Sequence, residues 1–293
     1  DDPYDKFLPK ISSVSKKIVI LYLFLTLILT ILYFSYGMSF FDSLAHSFTT
    51  ISTGGFSTHD QSFAYFQNNS ILLIAIIFMI IGSLPFLVIA QTSLNNIFAT
   101  IQDHQVRIFL LILFVSIFII YFFAEIYIDG NVFQKIITIS FNTISIISGT
   151  GYVSENFERW GNYASVLFLI LMFIGGCAGS TTGGIKVFRF QILFKYLILH
   201  FKKILQPHAV NVGYFNKKSI PESTYESVMS FFFIYIFTFA SSALLLSFSG
   251  LDFLTCISAA ASAISNVGPG LGDIIGPEGN YSALSDYSKL ILT

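Results

Sequence analysis

Apolar stretches long enough to cross a bilayer alternate along this chain with shorter ones that end in glycine and small polar residues. By the rule of about 20 residues per crossing, five stretches qualify: 18–36, 70–91, 107–127, 163–179 running on to 200, and 228–248. A sixth begins near Ser288 and reaches the last residue, Thr293. Sparse charge predicts that all are helices, because only helices and closed barrels satisfy their backbone polar groups in lipid.

The shorter stretches lie between the long ones, at 41–56 (FDSLAHSFTTISTGGF), 133–152 (FQKIITISFNTISIISGTGY) and 253–269 (FLTCISAAASAISNVGP). Setting Gly55, Gly151 and Gly268 against one another also aligns Ile51, Ile147 and Ile264, and Ser52, Ser148 and Ser265. The aligned glycines are 96 and then 117 residues apart, so the repeat is stretched by a longer connection. Its unit is a span, a half-helix, a glycine loop and a span, twice whole and once truncated. Non-helical backbone at membrane depth survives only where it is buried in protein or lines a watery path. Three such loops imply a shared axis. The fold class expected is an all-α membrane protein of repeated helix–pore loop–helix units. Its predicted divisions are 18–91, 107–200 and 228–293, with cytoplasmic connections at 1–17 and 201–227. The polar segment 1–17 carries no short apolar run with a cleavage site behind it, and reads as though the chain began midway through a longer protein.

Composition agrees with a lipid solvent. Of 293 residues 54% are hydrophobic and only 11% charged, mean hydropathy is +0.75, and there are 34 Phe. The net charge of −1 says little until it is sorted by side. In the predicted topology Lys6, Lys10, Lys16, Lys17, Arg107, Lys186, Arg189, Lys195, Lys202, Lys203, Lys217 and Lys218 lie opposite the glycine loops, 12 of the 15 basic residues. Only Lys135, Arg159 and Lys289 share the loops' side. The positive-inside rule then turns the loops outward and the basic connections to the cytoplasm. Ten acids (Asp42, Asp60, Glu125, Asp129, Glu155, Glu158, Asp252, Asp273, Glu278 and Asp286) leave that outer mouth near −7. Such a vestibule concentrates cations and repels anions.

A dehydrated alkali cation needs several oxygen ligands at once, and backbone carbonyls supply them densely and without charge. Pointing consecutive carbonyls at one axis calls for backbone angles that a Cβ often forbids, hence glycine. Thr53-Gly54-Gly55, Gly149-Thr150-Gly151 and Asn266-Val267-Gly268 fit that need, each after a half-helix whose negative end would face the ion. They are the candidate K+ site; the alternative for these glycines is helix packing. A second feature interrupts a crossing: Gly175, Gly176, Cys177, Ala178, Gly179, Ser180, Thr181, Thr182, Gly183 and Gly184 cannot hold a regular helix. This stretch suits a constriction that gates, or a kink for close helix approach. Lys186 and Arg189 follow, three apart, as cytoplasmic anchors that snorkel or as residues that tune cation exit and hold the loop.

His46 and His59 flank the first loop without a carboxylate cluster and are taken as mouth residues, not catalysts. Cys177 and Cys256 sit in apolar surroundings with no metal-ligand spacing, as packing residues. A membrane enzyme would need a nucleophile–base pair or metal cluster within the spans, and none is found; Glu125 is the only acid near mid-span in sequence, and it stands at a helix end. No nucleic-acid feature is present.

The residues GGFSTHD at 54–60, DHQVR at 103–107, GGCAGSTTGGIKVFR at 175–189, NVGPGLGD at 266–273 and GPEGNYSAL at 276–284 resemble the TrkH subunits of Trk-type potassium-uptake systems, in the Trk/Ktr/HKT superfamily. The resemblance covers essentially the whole chain. It implies four helix–pore loop–helix repeats around a pseudo-fourfold pore and K+ as the transported ion, with no organic cofactor. It also implies a homodimer in the bacterial inner membrane and a cytosolic nucleotide-binding regulatory partner of the TrkA type. Gly55, Gly151 and Gly268 then become the filter glycines of repeats two, three and four. Thr53, Gly54, Gly149, Thr150, Asn266 and Val267 supply carbonyls, and 175–184 is the gate. Against that pattern the first repeat is missing and the final helix stops at Thr293, so the expectation is a fragment, or a chain that needs a complementing piece. Sodium or another monovalent cation, or a non-conducting scaffold, are the alternatives.

Overall fold

The apolar stretches become helices whose ends are set by caps and by one proline. The computed structural model describes residues 3–91, 101–124, 128, 130–208, 211–216 and 218–293. Glu125, Tyr127, Asp129 and Lys217, which entered the predicted spans and charge pattern, lie outside these residues. The first unit is helix α1 (Pro3–Ser35), a short α2 (Phe40–Ile51), a glycine loop, α3 (Asn69–Ser83) and a brief α4 (Phe86–Gln91). The second is α5 (His104–Ala124), a short α6 (Val132–Ile147), a loop, α7 (Asn162–Ile174), an irregular stretch and α8 (Val187–Leu205). The third is α9 (Glu222–Ser247), a short α10 (Phe253–Ser265), a loop and α11 (Asp286–Leu292).

Four elements differ from those expected. Segment 70–91 is not one helix: Pro85 lacks an N–H and disfavours helical angles at the residue before it, and Leu84 is extended at ψ 161°. Helix α1 starts at Pro3, well before the apolar run, so much of the expected connection at 1–17 is helical. Helix α9 likewise begins at Glu222, ahead of the predicted start at 228. The connection at 201–227 carries a small antiparallel pairing of Tyr214–Phe215 with Lys218–Ser219.

The three short helices begin alike. Ser39 caps α2, Asn131 forms a capping box with Gln134 on α6, and Asp252 caps α10 through the Thr255 N–H. Each cap satisfies an amide that would otherwise be orphaned at the helix start. The units pack in sequence around one centre: α3 lies on α6, and α7 lies on α10. Between them sits an aromatic core that includes Tyr33, Phe63, Phe141, Phe157, Trp160 and Phe168.

Much of the outside is apolar. Segment Val14–Ser35 and helices His104–Ala124 and Glu222–Ser247 are long and apolar enough to cross a membrane, with hydropathies of 2.5, 2.8 and 2.0. Along α5, Phe114, Phe118 and Phe122 form an exposed ladder, Phe122 at 71% exposure. An uncovered stripe of this kind fits an apolar solvent.

Candidate functional site

The three glycine loops begin from the same turn. Past each short helix the chain enters the left-handed region at Thr53 (φ 51°), Gly149 (φ 68°) and Asn266 (φ 54°). In the first two loops one helix carbonyl then takes two amides: Thr49 O accepts from Gly54 and Gly55, and Ser145 O from Thr150 and Gly151. In the third, Ser262 accepts from Val267 with its carbonyl and from Gly268 with its hydroxyl. Thr49 Oγ1 and Ser145 Oγ also donate to the carbonyls of Phe56 and Tyr152, at 2.9 and 2.7 Å. These three hydroxyl residues were missed from sequence, although they occupy one register of the aligned segments.

The loops meet each other backbone to backbone. A Cβ on Gly55 would stand 1.5 Å from Thr150 O, and one on Gly151 would stand 1.8 Å from Val267 O. Both glycines have positive φ, 69° and 78°, so these positions exclude side chains twice over. Thr53, Gly54, Gly55, Thr150, Gly151, Asn266, Val267 and Gly268 line one cavity of about 580 Å³. Gly149 does not line it, and faces Asn266 O and the amide of Gly183.

Directly beneath lies the irregular stretch between α7 and α8. It docks on the carbonyls released at the Pro85 break: Cys177 N donates to Ser83 O, Thr181 N donates to Gly82 O, and Phe86 N donates back to Gly179 O. Thr181 Oγ1 is 3.1 Å from Thr53 Oγ1 and 3.2 Å from Ile51 O. On the other side, a Cβ on Gly183 would lie 2.1 Å from Ser265 O. The Gln105 side chain accepts from Ala178 N at 2.9 Å. Gly82, Ser83 and Gln105 were also missed; the Gly-Ser-Leu-Pro run at 82–85 was the available signal.

Lys186 and Arg189 do not share a partner. The Lys186 amine turns back onto the stretch, contacting the carbonyls and hydroxyls of Ser180 and Thr182. Arg189 lies 3.8 Å over the Phe231 ring. His46, expected at the mouth, is fully buried: its ring fits edge-on against Phe63 and Phe66, with its nitrogens on Asp42 O and Ser57 Oγ. His59 stays partly exposed, stacked on Tyr65 and 3.4 Å from Asp42. Both cysteines are buried and free.

Near the second and third loops, Glu158 accepts the Gly272 N–H at 2.8 Å. Burial pushes its carboxyl above the ordinary range and the neighbouring Asp273 adds to this, against the pull of that hydrogen bond. Arg159 and Glu278 pair beside it, exposed, at 3.1 Å.

Residues 4–293 match the TrkH family, described as cation transport proteins. The chain is 36% identical to the Trk system potassium uptake protein TrkI of Halomonas elongata, over 98% of this chain and 58% of that protein. It is 32% identical to the TrkH protein of Escherichia coli K12, over 98% and 59%. The crystal structure of the potassium transporter TrkH from Vibrio parahaemolyticus superposes with a TM-score of 0.88 at 30% identity, covering 97% of this chain and 61% of that one. Matches that run over 98% of this chain lend no support to the expectation of a fragment. The chain spans about three-fifths of the length of these relatives. Its repeated half-helices, its glycine loops and these matches make it a member of the TrkH family of cation transport proteins.

Proposed function

We propose that this chain carries potassium uptake across the bacterial inner membrane, with its three glycine loops as walls of a selectivity filter. The observation that carries the proposal is the close backbone contact of Gly55 with Thr150 O and of Gly151 with Val267 O, beside a cavity that residues of all three loops line. Carbonyls so crowded replace the hydration shell of a monovalent cation without charge. The names of the relatives, potassium uptake proteins, favour K+ over Na+.

In this proposal 18–91, 107–200 and 228–293 are pore repeats and 201–227 is a cytoplasmic connection. The glycine loops face outward toward an acidic vestibule, and the basic connections face the cytoplasm. Residues 175–184 form the gate beneath the filter, held shut by Thr181 and Lys186. The ion moves down its electrochemical gradient, to which the membrane potential contributes about 2.3 kcal/mol per charge per 100 mV. That drive requires no chemistry from this chain, so it acts as a transporter and not an enzyme. The protein works as a homodimer with a TrkA-type nucleotide-binding partner on the cytoplasmic side.

The test is growth on low potassium of a bacterium lacking its own uptake systems, with the full chain supplied in trans. Rescue that Gly151→Ser weakens, with loss of K+ over Na+ preference in vesicles, supports the filter. A chain that reaches the membrane yet passes no cation overturns it.

A further inference from the structure

Tyr152 follows directly on Gly151 and is completely buried. Its backbone carbonyl is fixed to its own half-helix by Ser145 Oγ, at 2.7 Å. Its side chain goes elsewhere. The phenol oxygen reaches the half-helix of the preceding unit, 2.5 Å from Thr49 Oγ1, 3.2 Å from Thr50 Oγ1 and 3.3 Å from the carbonyl of His46. Thr49 is the residue whose carbonyl gathers the Gly54 and Gly55 amides. One side chain therefore joins the base of the Gly151 loop to the turn that shapes the Gly55 loop. The ring rests on Phe63 with centroids 4.3 Å apart, so neither end is free to swing. The equivalent positions in the other loops carry no such link: Phe56 is 78% exposed, and the third loop has Pro269.

We infer that Tyr152 is the positioning residue that sets the separation of the first two filter walls, and so a determinant of which monovalent cation passes. The inference rests on the filter reading above. Discrimination by a carbonyl cage depends on its size or on the field of its carbonyls, and both change if two walls move apart. Removing the phenol oxygen leaves the packing on Phe63 in place. It also leaves Thr49 Oγ1 with the carbonyls of Ala45 and Phe56 as partners. Tyr152→Phe should therefore fold and still conduct.

The experiment is flux of K+ and Na+ in liposomes containing the full chain, for the wild type, Tyr152→Phe, Thr49→Val, Thr49→Ser and the Phe/Val double variant. Tyr152→Phe should lower the K+/Na+ permeability ratio about three- to tenfold, as loss of one buried hydrogen bond implies, with K+ flux retained. Thr49→Val should do the same and Thr49→Ser should keep the wild-type ratio. The double variant should fall no further than Thr49→Val alone, which already removes the Tyr152 contact together with the one to Phe56 O. A wild-type ratio in folded Tyr152→Phe, even with a lowered melting temperature, overturns the inference, as do losses that multiply in the double variant. If Tyr152→Phe fails to fold, equal ratios for Thr49→Val and Thr49→Ser overturn it instead. Gly151→Ala separates the two levels: a discriminating, conducting Gly151→Ala protein sinks the filter reading itself. Collapse of Gly151→Ala beside an unaffected Tyr152→Phe sinks only the role of Tyr152.

Discussion

The glycine loops and the loop beneath them are both irregular backbone inside a helical body, yet they are held by different means. In the upper layer backbone meets backbone, and at Gly55 and Gly151 there is no space for a methyl group. In the lower layer most fastenings are hydrogen bonds, from backbone amides to Ser83 O, Gly82 O and Gln105 and from the side chains of Thr181 and Lys186, with one close backbone approach, Gly183 to Ser265 O. Steric contact is stiff and cannot be exchanged for water. A hydrogen bond can be, and its net worth is about 1 kcal/mol. On the proposed reading the upper layer keeps one shape, and the lower can leave its shape at modest cost. Under the proposed function, that difference would be a fixed filter above a releasable gate.

The sharpest way to break that comparison is Gly151→Ala. Its Cβ would lie far inside contact distance of Val267 O, on a backbone with φ 78°. The walls must part, and K+/Na+ discrimination should fall by more than about tenfold, the equivalent of ~1.4 kcal/mol. Paired ion-flux measurements in liposomes check it. Discrimination equal to the wild type would mean that the upper layer is not the rigid element.

Next in size is Lys186→Met, which removes the cation from beneath the lower loop while keeping the apolar stem. Hydrogen bonds from a charged donor are worth about 1.5–3 kcal/mol. Basal K+ flux should rise by roughly tenfold with discrimination unchanged. A rise in flux that comes with lost discrimination would show that the two layers are one mechanical unit.

The two layers were not equally legible in the sequence. The upper one was readable because three copies align, and Gly55, Gly151 and Gly268 mark the same turn each time. The lower one was visible as a run of glycines, but its fastenings were not. They depend on carbonyls at Gly82 and Ser83 that Pro85 sets free from another helix, and on Gln105 from a third. Such contacts join residues about a hundred positions apart, and no local pattern reports them. His46 misled for the same reason, because its burial is made by Phe63 and Phe66 folding back across it. The long spans were legible as apolar runs, whereas their ends depended on caps and on Pro85.

A smaller effect is expected from Thr181→Val, which keeps the shape of the side chain and removes its links to Thr53, Ile51 and Gly82. Gating should shift toward the open state by about three- to fivefold, as a neutral hydrogen bond implies. Single-channel or tracer-flux recordings of the full chain would read it. Added to Lys186→Met, it should raise flux less than the product of the two, since both variants release the same loop. Fully multiplicative effects would mean that the two fastenings hold separate states.

The smallest effect concerns the rim, where Glu158 ties the second loop's flank to Gly272. Its carboxyl titrates above the ordinary range because burial, helped by Asp273, disfavours the charge. A raised carboxyl favours folding when protonated, so that contribution is present below its unfolded pKa and lost as pH rises through the folded one. Glu158→Gln keeps an acceptor for Gly272 and carries no charge. It should be slightly more stable than the wild type near neutral pH, by about 1 °C in Tm. The two should converge as the pH falls below about 4, where the wild-type carboxyl is itself neutral. Thermal unfolding in detergent across that range measures the difference directly. Curves that stay parallel would mean that the ionised Glu158 is adequately solvated, and that the rim is looser than the contact with Gly272 implies.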